Sequence, residues 1–293
     1  MTLRTRATGP AALTRGLLRS GAAAGPLFVI VFLAEGARRA DYQPLRHPVS
    51  SLSLGPHGWV QAANFSAAGA LCVAGAAGVS RTQDVIMGTR LVPALIGAAG
   101  LGLLGSALFP TDPVGGYPPG TPDALAAQSA SMTRHGIAAI PIFFGLPAAA
   151  LACSWRFRRA GHPRWAAYCA GTAASTVVNL ALAGAGFGQA PRLANRAGLF
   201  QRASIITAFA WITAVSARAL RCSEPVLDED RAPQEDCVHG GDRSPSCGTS
   251  APAGFHWRRG FALSVINVTG HLPTPRRRGT RGVKGRLVHD QGR

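Results

Sequence analysis

The sequence predicts an all-α polytopic membrane protein, a bundle of six transmembrane helices followed by a disordered C-terminal tail. Six apolar segments of about twenty residues follow one another between residues 20 and 220. That length is what a helix needs to cross a hydrocarbon core of about 30 Å. The same region holds few acidic residues, far fewer than a soluble domain of its size would carry. They are Glu35, Asp41, Asp84, Asp112 and Asp123.

The first helix is predicted at about residues 20–38, after a basic arm at residues 1–19. A signal peptide is the alternative, because a basic region before a short apolar run is typical of one. Residues 35–39, EGARR, offer no small-x-small cleavage site, and five more apolar segments follow. The stretch is therefore interpreted as a retained membrane helix.

Five further apolar segments predict the remaining helices. Their approximate bounds are 60–80, 91–109, 135–155, 166–187 and 199–220. All are rich in Ala and Gly, which let membrane helices approach closely. Buried helices of a soluble all-α protein are the alternative, but such helices would show a polar face at the period of 3.6 residues. These segments are apolar all round, which favours the membrane.

Charge distribution predicts both the partners and the orientation. The formal net charge of +17 would indicate nucleic acid in a soluble protein. Here the basic excess lies in the N-terminal arm, the short hinges and the tail beyond Arg218, so membrane lipids are the expected partners and nucleic acid is not. The arginines predict an N-in, C-in topology in the cell membrane, with loops 38–59, 110–134 and 188–198 outside. Residues 221–293 predict a disordered basic cytoplasmic tail.

Polar residues gather at the predicted outer helix ends, beginning with the loop at residues 45–59, LRHPVSSLSLGPHGW. We expect one outward-facing site formed by Arg46, His47, Ser50, Ser51, Asp112, His135, Gln201 and Arg202. Each residue also has a purely structural interpretation. Arg202 needs a partner near the hydrocarbon edge, and we expect Asp112 to be that partner, with Glu35 as the second choice.

Two functions with different chemistry fit this set of residues. The first is a membrane protein whose polar site binds a lipid headgroup or small ligand, or only braces the loops. The second is a metal-assisted lipid hydrolase at the outer leaflet, with Ser50, Asp112 and His135 as catalytic candidates. His47, His135 and Asp112 would then be the metal ligands and zinc the metal; otherwise no cofactor is predicted.

Two more alternatives have weaker support in the sequence. A Ser–His–Asp nucleophilic triad would lack the Gly-x-Ser-x-Gly elbow. The Ser, Asp and His residues of the metal-assisted hydrolase hypothesis resemble in part those of ceramidase-like membrane hydrolases, but no HxxxH pair lies on a late helix. A small-solute transporter is the last alternative, although no helix centre carries a charge and the segments show no convincing inverted repeat.

Four motifs, in this order, resemble a known family. They are RHPVSSLSLGPHGWVQAANF, LFPTDPVGGYP, a helix opening with HG, and NRAGLFQR. Over about residues 20–220 the chain is similar to the bacterial integral membrane family called domain of unknown function 998. The resemblance implies six membrane helices and no established activity, so it supports the architecture and leaves the function open.

Overall fold

The computed structural model describes residues 10–82, 90–123 and 127–222, and these form six long helices without a β-strand. The helices are α1 (Pro10–Arg38), α2 (Gly58–Arg81), α3 (Leu91–Leu108), α4 (Ala130–Arg159), α5 (Pro163–Phe187) and α6 (Ala197–Cys222). All six are long and apolar enough to cross a membrane. The predicted all-α, six-helix class is confirmed. The predicted disordered tail lies outside the described residues from 223 onward.

Most helix bounds extend the predicted ones by a few residues, and α1 differs most. It begins at Pro10, ten residues before the predicted start at about 20. Pro is favourable in the first turn of a helix because its missing N–H has no partner there. No helix-breaking residue follows before Pro26 except single glycines, so the basic stretch with Arg15 and Arg19 continues the helix. The predicted basic arm is therefore partly helical.

The helices form a ring in chain order. Each helix packs on the next, and α6 packs on α1 to close the ring. Short connections between antiparallel neighbours give this up-and-down arrangement. The end of the bundle that carries residues 39–57 is here called the loop end, and the opposite end, with the connections 82–90 and 160–162, is called the hinge end.

Small residues allow the closest helix contacts. Gly21 of α1 faces Gly75 of α2 so closely that a Cβ added to Gly75 would lie 2.5 Å from the Gly21 Cα. A Cβ on Gly69 would likewise lie 2.7 Å from the Gly100 carbonyl oxygen of α3. The interior beside these contacts is filled by large side chains, with Trp211 fully buried. Such close backbone approach is how membrane helices gain packing energy without a hydrophobic driving force.

The surface of the bundle between its two ends is apolar. Several helices expose large aliphatic or aromatic side chains there, including Ile30, Leu101, Ile137, Phe144 and Val178. A soluble protein rarely exposes so extended an apolar surface. Lipid chains are the environment that such a surface requires.

A break in the regular hydrogen bonding of α4 opens the ring at the loop end. The segments Ala130–Ile140 and Leu146–Arg159 are joined by a π-helical turn at Pro141–Gly145. Pro141 has no N–H to donate, and helices bend where such a turn interrupts them. The second segment packs on α5, whereas the first packs on α3 and makes no extensive contact with described residues of α5 or α6.

Candidate functional site

Arg202 fastens the first loop to the start of α6. Its side chain is buried, with 6% of its surface exposed. Nη1 donates hydrogen bonds to the carbonyl oxygens of His47 at 2.9 Å, Gly198 at 3.0 Å, and Pro44. Nη2 donates to the hydroxyl oxygen of Tyr42. A guanidinium carries five donors in a fixed plane. Here the two terminal nitrogens bond the loop backbone, the first turn of α6 and one phenol, whereas the buried Nε has no partner among the described residues.

The prediction that Arg202 pairs with Asp112 or Glu35 is wrong. The Asp112 carboxylate instead accepts hydrogen bonds from the Ser129 backbone N–H at 2.7 Å and from the Ser129 hydroxyl at 2.6 Å. Glu35 lies beside Arg39, with 3.5 Å between the carboxylate oxygen and Nε. Carbonyl oxygens of an irregular loop can accept the hydrogen bonds of a guanidinium, although they do not neutralise its charge. Their positions are not visible in the sequence.

His47 is part of the same brace rather than a free ligand. It is 3% exposed, and its ring centroid lies 5.2 Å from that of Tyr117 and 5.5 Å from that of Tyr42. The Gln43 backbone N–H donates to its Nδ1 at 2.9 Å, so that nitrogen must be unprotonated. Burial, and then the charge of Arg46, lower the pKa of His47. The neutral ring is therefore the form that the folded loop holds.

Three more contacts attach this loop to other parts of the loop end. The Val49 backbone N–H donates to the Gln201 side-chain oxygen at 2.8 Å. Arg46 forms an exposed ion pair with Asp123 of the loop between α3 and α4, at 2.6 Å, while its carbonyl oxygen accepts from the Gly198 N–H at 3.1 Å. The first loop is thus fixed to both α6 and the α3–α4 connection.

A cavity lies directly beneath the 3₁₀ turn Val49–Ser53 of this loop. Its volume is about 40 Å³, which exceeds what a single water molecule needs. Its polar lining comes from four different parts of the chain, namely Ser50, Ser106, His135 and Gln201. The rest of the lining is apolar and consists of Phe28, Val49, Phe65, Leu103, Ala139, Ile142, Phe143 and Ile205.

His135 is held in one orientation at the wall of this cavity. Its Nδ1 lies 2.8 Å from the Phe109 carbonyl oxygen at the end of α3. A carbonyl can only accept, so Nδ1 carries the proton that is donated and Nε2 keeps a lone pair in the neutral ring. The imidazole is therefore a hydrogen-bond acceptor through Nε2.

The structure does not bring the predicted metal ligands together. His47, His135 and Asp112 each bind a different partner, respectively Gln43, Phe109 and Ser129. Across the described residues, no group of three or more His, Cys, Asp or Glu side chains could hold a metal ion. The arrangement of the described side chains does not fit a zinc site built from His47, His135 and Asp112.

The predicted site residues therefore divide into separate groups. Ser50, His135 and Gln201 meet at the cavity, whereas Arg46, His47 and Arg202 brace the loop above it and Asp112 anchors α4. Ser51 is fully buried on the same turn, and its hydroxyl has no hydrogen-bond partner.

Sequence reasoning missed residues that complete both groups. Tyr42 accepts from Arg202 and donates to the Pro48 carbonyl at 2.9 Å, and Ser106 lines the cavity from α3. The chain has only three tyrosines, and the two in polar loops, Tyr42 and Tyr117, lie edge to face at 5.2 Å. Their rarity was a signal for Tyr42. Nothing in the sequence distinguishes Ser106 from other small residues of α3.

Fold and surface together define an integral membrane protein with six spans and a polar loop end. More specifically, the chain belongs to the family described as protein of unknown function (DUF998), whose model matches residues 22–218. Comparison with curated proteins and with solved structures finds no match. The family match assigns no activity.

Proposed function

We propose that this protein is a membrane-embedded binding protein that receives a lipid of the outer leaflet between α4 and α5, with a polar group of that lipid in the cavity beneath the first loop. The observation that carries the proposal is the opening of the ring at the loop end. There the segment Ala130–Ile140 leaves α5 while Leu146–Arg159 stays packed on it. π-helical turns such as Pro141–Gly145 occur frequently at functional sites.

The walls of the cavity suit an amphiphile. Apolar and aromatic side chains form most of the lining, and a few polar groups converge at the loop side, which is the usual composition of a ligand site. Ala139, Phe143, Ser50 and Gln201 are partly exposed, so the cavity reaches the surface. At about 40 Å³ it accommodates a hydroxyl or amine and the carbon that bears it, while the remaining ligand lies in the membrane.

The hydrogen-bonding groups specify what that polar group must be. With Nδ1 of His135 committed to Phe109, the lone pair on Nε2 is available to accept a hydrogen bond from a ligand. The Ser50 and Ser106 hydroxyls both donate and accept. A ligand group that donates a hydrogen bond to Nε2 of His135 fits this set. A hydroxyl can also accept from a serine, whereas an ammonium group can only donate, to His135 and to the serine oxygens.

The proposal assigns the loop end to the outer face of the cell membrane, with both termini cytoplasmic. All carboxylates of the described residues lie at the loop end, at Glu35, Asp41, Asp112 and Asp123. Ten of the seventeen described arginines lie at the hinge end and seven at the loop end. The bias of arginine toward the cytoplasmic side supports this orientation.

Photo-crosslinking tests the proposal. Protein reconstituted with a phosphatidylethanolamine analogue that carries a diazirine in its acyl chain should crosslink at the facing sides of α4 and α5 at the loop end. The variant Ala139→Phe fills the cavity and should reduce this crosslinking about tenfold, the effect of losing 1.4 kcal/mol of binding. Ala148→Phe is the matched control, because Ala148 is exposed on the same helix beyond the π-helical turn.

Equal crosslinking in wild type, Ala139→Phe and Ala148→Phe would contradict the proposal. The hydrolase alternative retains one specific observation, that Ser50 and His135 line the same cavity. Lipid turnover by the wild type that disappears in Ser50→Ala would replace binding by hydrolysis. Solute uptake into proteoliposomes that follows an ion gradient would favour the transporter instead.

A further inference from the structure

The hinge end of α4, α5 and α6 carries a dense positive charge. Its arginines are Arg156, Arg158, Arg159, Arg164, Arg218 and Arg221. Within the described part of the chain, the two carboxylate ion pairs are both at the opposite end, at Glu35 and Asp123. Among the described residues, no carboxylate lies at the hinge end.

Arg218 is the unusual member of this group because it is buried. Only 4% of its surface is exposed. Its guanidinium carbon lies 5.1 Å from the ring centroids of both Phe157 of α4 and Trp165 of α5. Among the described residues it forms no ion pair with a carboxylate, and its Nε has no hydrogen-bond partner. A buried guanidinium is costly unless an anion compensates it.

The start of α5, beside Arg218, favours an anion as well. The first turn of this 25-residue helix has no acidic residue, and the side chain of His162 makes no capping hydrogen bond. Uncapped N–H groups and the helix dipole attract anions at such a terminus. Arg164 adds a charge in the same turn. Trp165, also in this turn, contacts Arg218 through its ring.

Aromatic side chains at the same level fit the boundary between headgroups and acyl chains. Trp155 of α4 is exposed, and the Arg159 guanidinium lies 4.0 Å from its ring centroid. Exposed Trp residues are typical of the membrane–water interface. A phospholipid whose phosphate lies at the hinge end would therefore have its acyl chains beside Trp155.

We propose that the junction of α4, α5 and α6 at the hinge end binds the phosphate of an anionic phospholipid, with Arg218 as the buried cation and Arg164 with the α5 N-terminus as its outer partners. This binding is separate from the cavity at the loop end and does not depend on it. Free inorganic phosphate offers the same chemistry without the acyl chains.

Thermal unfolding and native mass spectrometry of the full-length protein test this proposal. Detergent-solubilised protein is titrated with phosphatidylglycerol, phosphatidylcholine or inorganic phosphate. We expect a rise in melting temperature and a retained lipid with phosphatidylglycerol alone. Arg218→Gln should weaken the apparent affinity about tenfold or more, as expected for loss of a charge-assisted hydrogen bond, and Arg218→Lys should restore part of it.

Arg81→Gln is the matched control, because Arg81 is an exposed arginine at the same end whose guanidinium bonds the Ala77 carbonyl of its own helix. It should bind phosphatidylglycerol like the wild type. If Arg218→Gln does not accumulate in the membrane, Arg164→Gln, at an exposed position, should show a smaller loss of affinity. An equal response of all variants to phosphatidylglycerol would overturn the proposal, as would saturation by inorganic phosphate alone.

The acidic residues that follow α6 are the competing source of an anion. A variant with all four replaced by amides should leave the lipid response unchanged if the proposal holds. If that variant loses stability as Arg218→Gln does, and no variant responds to phosphatidylglycerol, the partner is this segment and the lipid proposal is wrong. The four residues are Glu224, Asp228, Glu229 and Asp230.

Discussion

At the scale of single residues, Arg202 determines the position of the first loop. Its guanidinium donates hydrogen bonds to two carbonyl oxygens of the loop, to one carbonyl oxygen of α6 and to the Tyr42 hydroxyl. The sequence indicated that Arg202 needed a partner, because its place near the start of a membrane helix is evident. It could not identify the partner, because backbone acceptors become available only once the loop has its shape.

The first prediction concerns coupling between Arg202 and Tyr42. Arg202→Gln should cost about 3 kcal/mol in detergent, since it strands several buried acceptors. Tyr42→Phe removes one of those acceptors, so the double variant should lose less than the sum, with a coupling of roughly 0.5–3 kcal/mol. Equilibrium unfolding of both single variants and the double variant measures it.

Asp112 provides the control for this double-mutant cycle of Arg202 and Tyr42. Its carboxylate binds Ser129, so Asp112→Asn and Arg202→Gln should add within about 0.5 kcal/mol. A strong coupling of Asp112 with Arg202, and none with Tyr42, would show that the guanidinium has the carboxylate as its partner.

At the scale of elements, the positions of the helices could be predicted and the irregularity of α4 could not. Length and apolar composition place all six helices. Pro141 is visible in the sequence, but whether a helix accommodates a proline by a kink, a break or a π-helical turn depends on its neighbours. The cavity depends on the π-helical turn that α4 adopts at Pro141. The sequence therefore indicated some residues of the cavity, namely Ser50, His135 and Gln201, but not where the cavity lies.

The second prediction concerns the contact of α1 with α2. A Cβ on Gly75 would lie 2.5 Å from the Gly21 Cα, so Gly75→Ala must push the two helices apart. We expect a loss of about 1–3 kcal/mol, measured by thermal unfolding in detergent.

Gly171 of α5 is the matched control, because a Cβ there meets no atom within 4 Å. Gly171→Ala should be neutral or stabilising by up to about 1 kcal/mol, the difference in helix propensity. Equal effects of both substitutions would mean that the close approach of α1 and α2 contributes nothing specific.

At the scale of the whole molecule, α4 and α5 pack together toward the hinge end and separate at the loop end, so the ring of helices has a gap there. Packing in chain order joins α1 to α6, and the loop end is held by contacts from Arg202 and Gln201. The closed ring follows from short connections between antiparallel helices, which the sequence shows. The gap beside Ala130–Ile140 follows from how side chains pack, which the sequence does not show.

Cysteine accessibility in intact cells tests the outer-leaflet site most sharply, because that site requires the loop end outside and the hinge end inside. Single cysteines are placed at exposed positions in a background without the native thiols and treated with an impermeant maleimide. Those at His57, Pro119 and Arg192 should label, and those at Ala160 and Arg221 should label only after lysis. Labelling of Ala160 and Arg221 in intact cells, with protection of the other three, would contradict the orientation and the outer-leaflet site at the loop end.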